Sequence, residues 1–280
     1  MKRFKIVADS SSDILELCDA DFSIVPLKII TEEREFVDDE TLDIREMVEF
    51  MASYRKRSST ACPSPQDFLA AFGDAEEILC VTMTSALSAC HNSALIAKKF
   101  YEDKYPDRKV YVLDSLSTGP EMKLAMERAV LLKRDGMSFD EICADLKDHL
   151  KTTALFFLLK SMNNLANNGR VSRLVAKTAG ILGIRLLGKA SEKGVIEMVD
   201  KCRGQKAIIS CVFENMEKEG YRGGEVKITH CLNEEDAEDL KKHILKKYEK
   251  AKIEVYPMKG LCGFYAELGG LIIGFEKESC

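Results

Sequence analysis

Phe4-Lys5-Ile6-Val7-Ala8-Asp9-Ser10-Ser11-Ser12-Asp13 opens the chain with a brief apolar run that stops at an acid and three hydroxyls. So short a run is a buried strand rather than a helix, and the small polar residues behind it form a turn. The same grammar returns at Ile78–Met83, followed by Thr84-Ser85-Ala86-Leu87-Ser88, and at Val110–Leu113, followed by Asp114-Ser115. Helical stretches lie between these strands. The spacing predicts helices over Asp43–Tyr54, with Ile44, Met47, Val48 and Met51 on one face, over Ala86–Asp103, and over Pro120–Asp135 before Gly136. Ser64-Pro65-Gln66-Asp67 is a helix start, and Ser138 with Glu141 is a capping box. Strands alternating with helices imply an α/β fold whose sheets are mainly parallel and covered on both faces.

Further out, Phe22–Ile30 reads as one strand and Leu155–Leu159 as another. The rhythm then changes. Small polar segments occupy Asn163–Gly169, and two short strands, Arg185–Leu187 and Val195–Val199, flank a turn at Gly194. A helix over Gln205–Glu219, a strand at Glu225–His230, a helix from Asn233 and Asp236 to Tyr248, and strands at Ile253–Tyr256 and Leu271–Phe275 complete the chain. This change of rhythm places a domain boundary near residue 154, giving domains 1–153 and 154–280.

The 280 residues bury enough surface to need no staple, and a net charge of −5 argues against nucleic acid as a partner. The apolar run after Lys2, Arg3 and Lys5 is too short for a secretory core, and the longest one, Ala154–Leu159, is too short to span a membrane. A cytoplasmic protein is expected. The ten cysteines, including Cys80, Cys211 and Cys280, show no C-x-x-C spacing and no histidine at zinc-ligand distance. They read as reduced, small core residues with no metal site. The four histidines form no Ser-His-Asp or Cys-His set, and His149 and His243, among Lys and Asp on helices, read as solvated. There is no Walker loop or dinucleotide fingerprint.

Four segments can carry chemistry. Asp9, and Asp114 after it, could act as a strand-end phosphoryl nucleophile, but Ser11 stands where a second acid is needed, and an Asx or Ser turn explains the loop equally. Thr84-Ser85-Ala86-Leu87-Ser88 is either an anion seat at a helix start or a simple hydroxyl cap. Thr60, between Ser59 and the prolines at 63 and 65, lies in a rigid entry or in a solvated loop. Arg170 and Arg203, each beside a glycine, form an anion clamp or are surface residues.

Taken in order, these segments resemble the DegV family over nearly the whole chain. The carriers are Ala8–Asp13, Thr60-Ala61-Cys62-Pro63-Ser64, Thr84–Ala94, Asp114-Ser115, Asn168-Gly169-Arg170-Val171-Ser172 and Lys201-Cys202-Arg203. The resemblance implies two α/β domains with a long-chain fatty acid such as palmitate, stearate or oleate between them, and no catalysis by this chain. Carried onto the matching positions, Thr60 and Ser85 donate to the carboxylate, Ser88 belongs to the same loop, and Arg170 and Arg203 lie near the head-group mouth. It also implies a partner, a kinase subunit that phosphorylates the presented acid. Two departures stand out. Tyr265 takes the place of the family's histidine, and Ala89-Cys90 replaces its Gly-Thr. They keep a different amphiphile open as ligand, beside the phosphatase reading of Asp9 or Asp114. Burial of a sixteen-carbon tail, at about 0.8 kcal/mol per CH₂, contributes on the order of 10 kcal/mol before association costs, provided donors meet the carboxylate.

Overall fold

A computed structural model describes residues 2–178 and 183–278. The first half contains β1 (Phe4–Asp9), β2 (Phe22–Val25), β3 (Lys28–Thr31), β4 (Glu35–Val37), α1 (Ile44–Ser53), β5 (Ser58–Ala61), α2 (Pro65–Phe72), β6 (Glu77–Thr82), α3 (Cys90–Lys104), β7 (Lys109–Asp114), α4 (Gly119–Arg134) and α5 (Phe139–His149). The second contains β8 (Thr153–Leu159), α6 (Asn163–Asn167), α7 (Arg173–Thr178), β9 (Ile184–Ala190), β10 (Ile196–Arg203), α8 (Gln205–Lys218), β11 (Val226–His230), α9 (Glu234–Lys247), β12 (Ile253–Pro257), α10 (Gly260–Ala266) and β13 (Leu271–Glu276).

The first sheet has the order β2-β1-β6-β7 and is parallel throughout, as the strand-and-acid loops predict. The second, β10-β9-β8-β13-β11-β12, corrects the expectation of parallel pairing: only β11 and β12 run parallel, and the other pairs are antiparallel. The physical reason is the connection after β9. It is a hairpin turn with Gly194 at φ +69°, and a turn that tight can join only antiparallel neighbours. The stretch 22–30 is also two strands rather than one. Pro26 has no N–H to continue a ladder, so the chain leaves the first sheet there, and β3 joins a small antiparallel sheet, β4-β3-β5. Thr60 therefore sits on a strand, opposite Ile29, rather than in a loop.

Helix α4 links the sheets. Residues Gly119–Met126 are all buried, and α4 packs on β6 as well as on β8, β11 and β13. The approach to β13 is close enough that a Cβ on Gly274 would lie 2.7 Å from the Glu121 nitrogen. Each large sheet has its own apolar core, and a third cluster is shared, joining Ile29, Phe36 and Met47 to Leu155, Phe157 and Phe264.

The cysteine reading needs correction at one pair. Cys80, Cys90, Cys143, Cys231 and Cys262 are buried thiols as expected, but Cys18 and Cys62 are exposed, and Cys202 and Cys211 are joined in a disulfide. The packing of α8 against β10 brings those two together, a proximity that linear spacing does not display. Cys280 lies outside the described residues. His149 and His243 are half-buried rather than solvated, and His243 packs edge-on against Phe213 at 5.0 Å.

Candidate functional site

A cavity lies between the two large sheets. Its apolar wall comes from Leu155, Phe157 and Leu159 on β8, Leu165 on α6 and Ile272 on β13. The β9–β10 turn closes another side with Ala190, Gly194, Val195 and Ile196, and α10 contributes Leu261, Cys262, Tyr265 and Ala266. β8 is buried along its whole length, because one face meets the second sheet's own core and the other meets this cavity.

One part of the wall is polar. The hydroxyls of Thr60 and Tyr265 are hydrogen-bonded at 2.8 Å, and either can donate. The Arg170 guanidinium carbon stands 5.7 Å from the centre of the Tyr265 ring, a cation–π distance. Arg170 is itself held by two carbonyls, donating through Nε to Leu87 (3.4 Å) and through a terminal nitrogen to Asn168 (2.6 Å). Among the described residues, Arg170 makes no ion pair with a carboxylate. Ser88 also lines the cavity; its oxygen accepts from the Cys90 backbone N–H at 3.3 Å. Burial pushes the Tyr265 phenol upward, with the Thr60 hydroxyl and the Arg170 charge pulling it partly back, so it stays protonated at neutral pH.

Of the six candidate residues, Thr60, Ser88, Arg170 and Tyr265 are brought together and Ser85 and Arg203 are not. Ser85 is exposed, and its backbone N–H donates to the Asp114 carboxylate at 3.1 Å. Arg203 is exposed at the end of β10. The cause for Ser85 is a later helix start than the sequence suggests. α3 begins at Cys90 rather than near Ala86, so Thr84–Ala89 is a loop that turns Thr84 and Ser88 inward and Ser85 outward. Thr84, from the candidate segment Thr84–Ser88, also lines the cavity, as do Ser117 and Thr118, which were not among the candidates although they follow the Asp114-Ser115 loop already identified. The Thr84 hydroxyl donates to the Gly194 carbonyl at 3.0 Å and so ties the β9–β10 turn to the first half.

Neither acid of the phosphatase reading lines the cavity. Asp9 is fully buried; it accepts from the Met83 backbone N–H at 2.8 Å, the Ser11 backbone N–H at 3.1 Å and the Ser11 hydroxyl. Burial raises its carboxyl to about 6 against the pull of those donors. Asp114 accepts from the backbone N–H groups of Ser85 and Leu116. Both acids cap loops, as the alternative reading had it. Among the described residues, no group of His, Cys, Asp and Glu side chains is arranged to hold a metal ion, and no helix is long and apolar enough to cross a membrane.

An α/β scaffold around a largely apolar cavity, with hydroxyls and a guanidinium on part of its wall, has the form of a receptor site for an amphiphile. The chain belongs to the DegV family: the family model described as "Uncharacterised protein, DegV family" matches residues 3–278. A DegV domain-containing protein of Streptococcus pneumoniae is 41% identical over 279 residues, covering 98% of this chain and 99% of the relative. Among solved structures, a DegV family protein of Eubacterium eligens loaded with heptadecanoic acid superposes with a TM-score of 0.96 at 41% identity, covering 98% of this chain and 100% of the other. The Fatty Acid Kinase (Fak) B3 protein of Streptococcus pneumoniae, loaded with linoleic acid, gives 0.96 at 40% identity, covering 99% and 100%.

Proposed function

We propose that this protein binds one long-chain fatty acid in the cavity between its two large sheets and presents it, without catalysing a reaction itself, to a separate fatty-acid kinase subunit in the cytoplasm. The two halves, 1–153 and 154–280, act as domains that close on the ligand. The observation that carries this reading is the division of the wall. Leu155, Phe157, Leu159, Leu165 and Ile272 offer hydrocarbon, while Thr60, Ser88, Arg170 and Tyr265 converge beside them. The tail gains about 0.8 kcal/mol per buried CH₂, and the carboxylate exchanges water for hydroxyl donors and one guanidinium. The relatives loaded with heptadecanoic and linoleic acids support the same ligand class.

Organic extraction of purified protein followed by mass spectrometry tests this directly. A C14–C18 acid at near one equivalent is expected. Protein that comes out empty and takes up no oleate or palmitate when offered either would defeat the reading. Recovery of a neutral amphiphile in place of an acid would assign the cavity a different ligand. Addition of a fatty-acid kinase subunit and ATP to the loaded protein should give acyl phosphate if the presentation role holds.

A further inference from the structure

Asp38 and Asp13 are buried acids that do not line the cavity. Both reach across more than two hundred residues to the same place. Asp38, just after β4, accepts from the backbone N–H groups of Gly260 (2.6 Å) and Leu261 (2.8 Å), one on each carboxylate oxygen. Asp13, at the end of the Asp9–Asp13 turn, accepts from the Lys259 N–H at 2.9 Å. These are the free donors at the start of α10, which makes no side-chain cap of its own. A carboxylate that takes two N–H groups and meets the positive end of the helix dipole is an unusually complete cap, and here it is supplied from the other half of the chain. The seat is tight: a Cβ on Gly260 would lie 2.6 Å from Asp38 Oδ1 and 2.6 Å from Leu42 Cδ2.

Helix α10 is the element that carries Tyr265, one turn and a half beyond this cap, with its hydroxyl on Thr60. We infer that Asp38, seconded by Asp13, is a positioning residue for the ligand's head group, acting through α10 on the Tyr265 hydroxyl. This rests on the fatty-acid reading for its ligand, and on the geometry of α10 alone for its mechanism. A shift of a seven-residue helix at its start carries Tyr265 with it, because the helix has too few internal hydrogen bonds to hold its place unaided.

The test is Asp38→Asn, which keeps the shape and loses one of the two acceptor oxygens. Three quantities are read on the purified protein: hydrogen–deuterium exchange of the segment 258–267, affinity for oleate, and affinity for oleate methyl ester, whose tail is the same and whose head is uncharged. Expected are exchange in that segment faster by about tenfold or more with β1 and β6 unchanged, and a loss of oleate affinity of roughly tenfold. The ester should lose less than about twofold, since its binding depends on the tail. Equal losses for acid and ester would make Asp38 a purely structural residue and overturn the inference; so would unchanged exchange or unchanged oleate affinity. If Asp38→Asn does not fold, Gly260→Ala, which wedges the same contact from the helix side, is measured in the same way with the same criteria. A wild-type protein that binds neither ligand would defeat the fatty-acid reading, while the exchange measurement would still decide whether Asp38 holds α10.

Discussion

Replacing Gly194 with alanine should loosen the β9–β10 turn from the cavity it covers. Gly194 sits at φ +69°, in the left-handed region, where a Cβ costs roughly 1–2 kcal/mol. The site is also full: the added carbon would lie 2.0 Å from Thr84 Oγ1, 2.9 Å from Thr84 Cβ and 3.1 Å from Leu116 Cα. Relief requires the turn to move away, and that breaks the hydrogen bond from the Thr84 hydroxyl to the Gly194 carbonyl, about another 0.5–1.5 kcal/mol. The expected destabilisation is about 2–3 kcal/mol, read as a fall in melting temperature of about 3–5 °C for a chain of this size. Val195 and Ile196 move with the turn, so a fluorescent fatty acid should dissociate faster by about tenfold in stopped flow. Thr84→Val separates the two causes, since it removes the hydroxyl without forcing the backbone and should cost only about 1 kcal/mol. A Gly194→Ala protein that melts and releases ligand like the wild type would show that the turn tolerates the Cβ and that this contact does not close the cavity.

Four more expectations follow from particular contacts. Thr60→Val and Tyr265→Phe should each weaken fatty-acid binding by about 0.5–1.5 kcal/mol in a titration, and the double variant should lose less than the sum because the two hydroxyls bond each other; additive losses would show that the two hydroxyls act on the ligand independently. Because burial holds the Tyr265 phenol protonated, its share of the affinity should not change between about pH 6 and 8, as a histidine's would. Burial, with Asp38 nearby, pushes the Asp13 carboxyl up to about 8, so between about pH 4 and 8 the folded protein keeps a proton that the unfolded chain releases. Stability from this group is full below about pH 4 and falls as pH rises toward 8, with a limiting slope of about 1.4 kcal/mol per pH unit, and Asp13→Asn should flatten denaturation midpoints measured across that window. Lys227, a nearly buried residue of β11, is paired with Glu127 of α4 (2.7 Å), Glu225 (2.8 Å) and Glu254 (2.8 Å). Lys227→Met should destabilise the protein by about 2–3 kcal/mol in urea, less than a fully buried pair would because the three acids are partly exposed.

The sequence made the local decisions visible. The strand-then-acid loops at Asp9 and Asp114 are where the first sheet's strands end, and the capping boxes at Ser64/Asp67 and Ser138/Glu141 start α2 and α5 as read. Those outcomes depend on residues within about one helical turn, so their signals are contiguous. Thr60, Ser88, Arg170 and Tyr265, which line the cavity, were named from the sequence through the family resemblance, where spacing alone left two readings.

Tertiary structure decided what the linear pattern could not. The hydroxyls of Thr84, Ser85 and Ser88 are equivalent as text; the later start of α3 faces Thr84 and Ser88 into the cavity and leaves Ser85 outside it. Apolar runs such as Leu155–Leu159 fit parallel and antiparallel partners alike, and only the turn at Gly194 and the placement of β13 beside β8 set the second sheet's directions. The caps from Asp13 and Asp38 on α10 span more than two hundred residues. A strand's identity is encoded in its own side chains, whereas which distant backbone N–H a buried carboxylate will meet depends on how the whole chain closes, and no local periodicity carries that information.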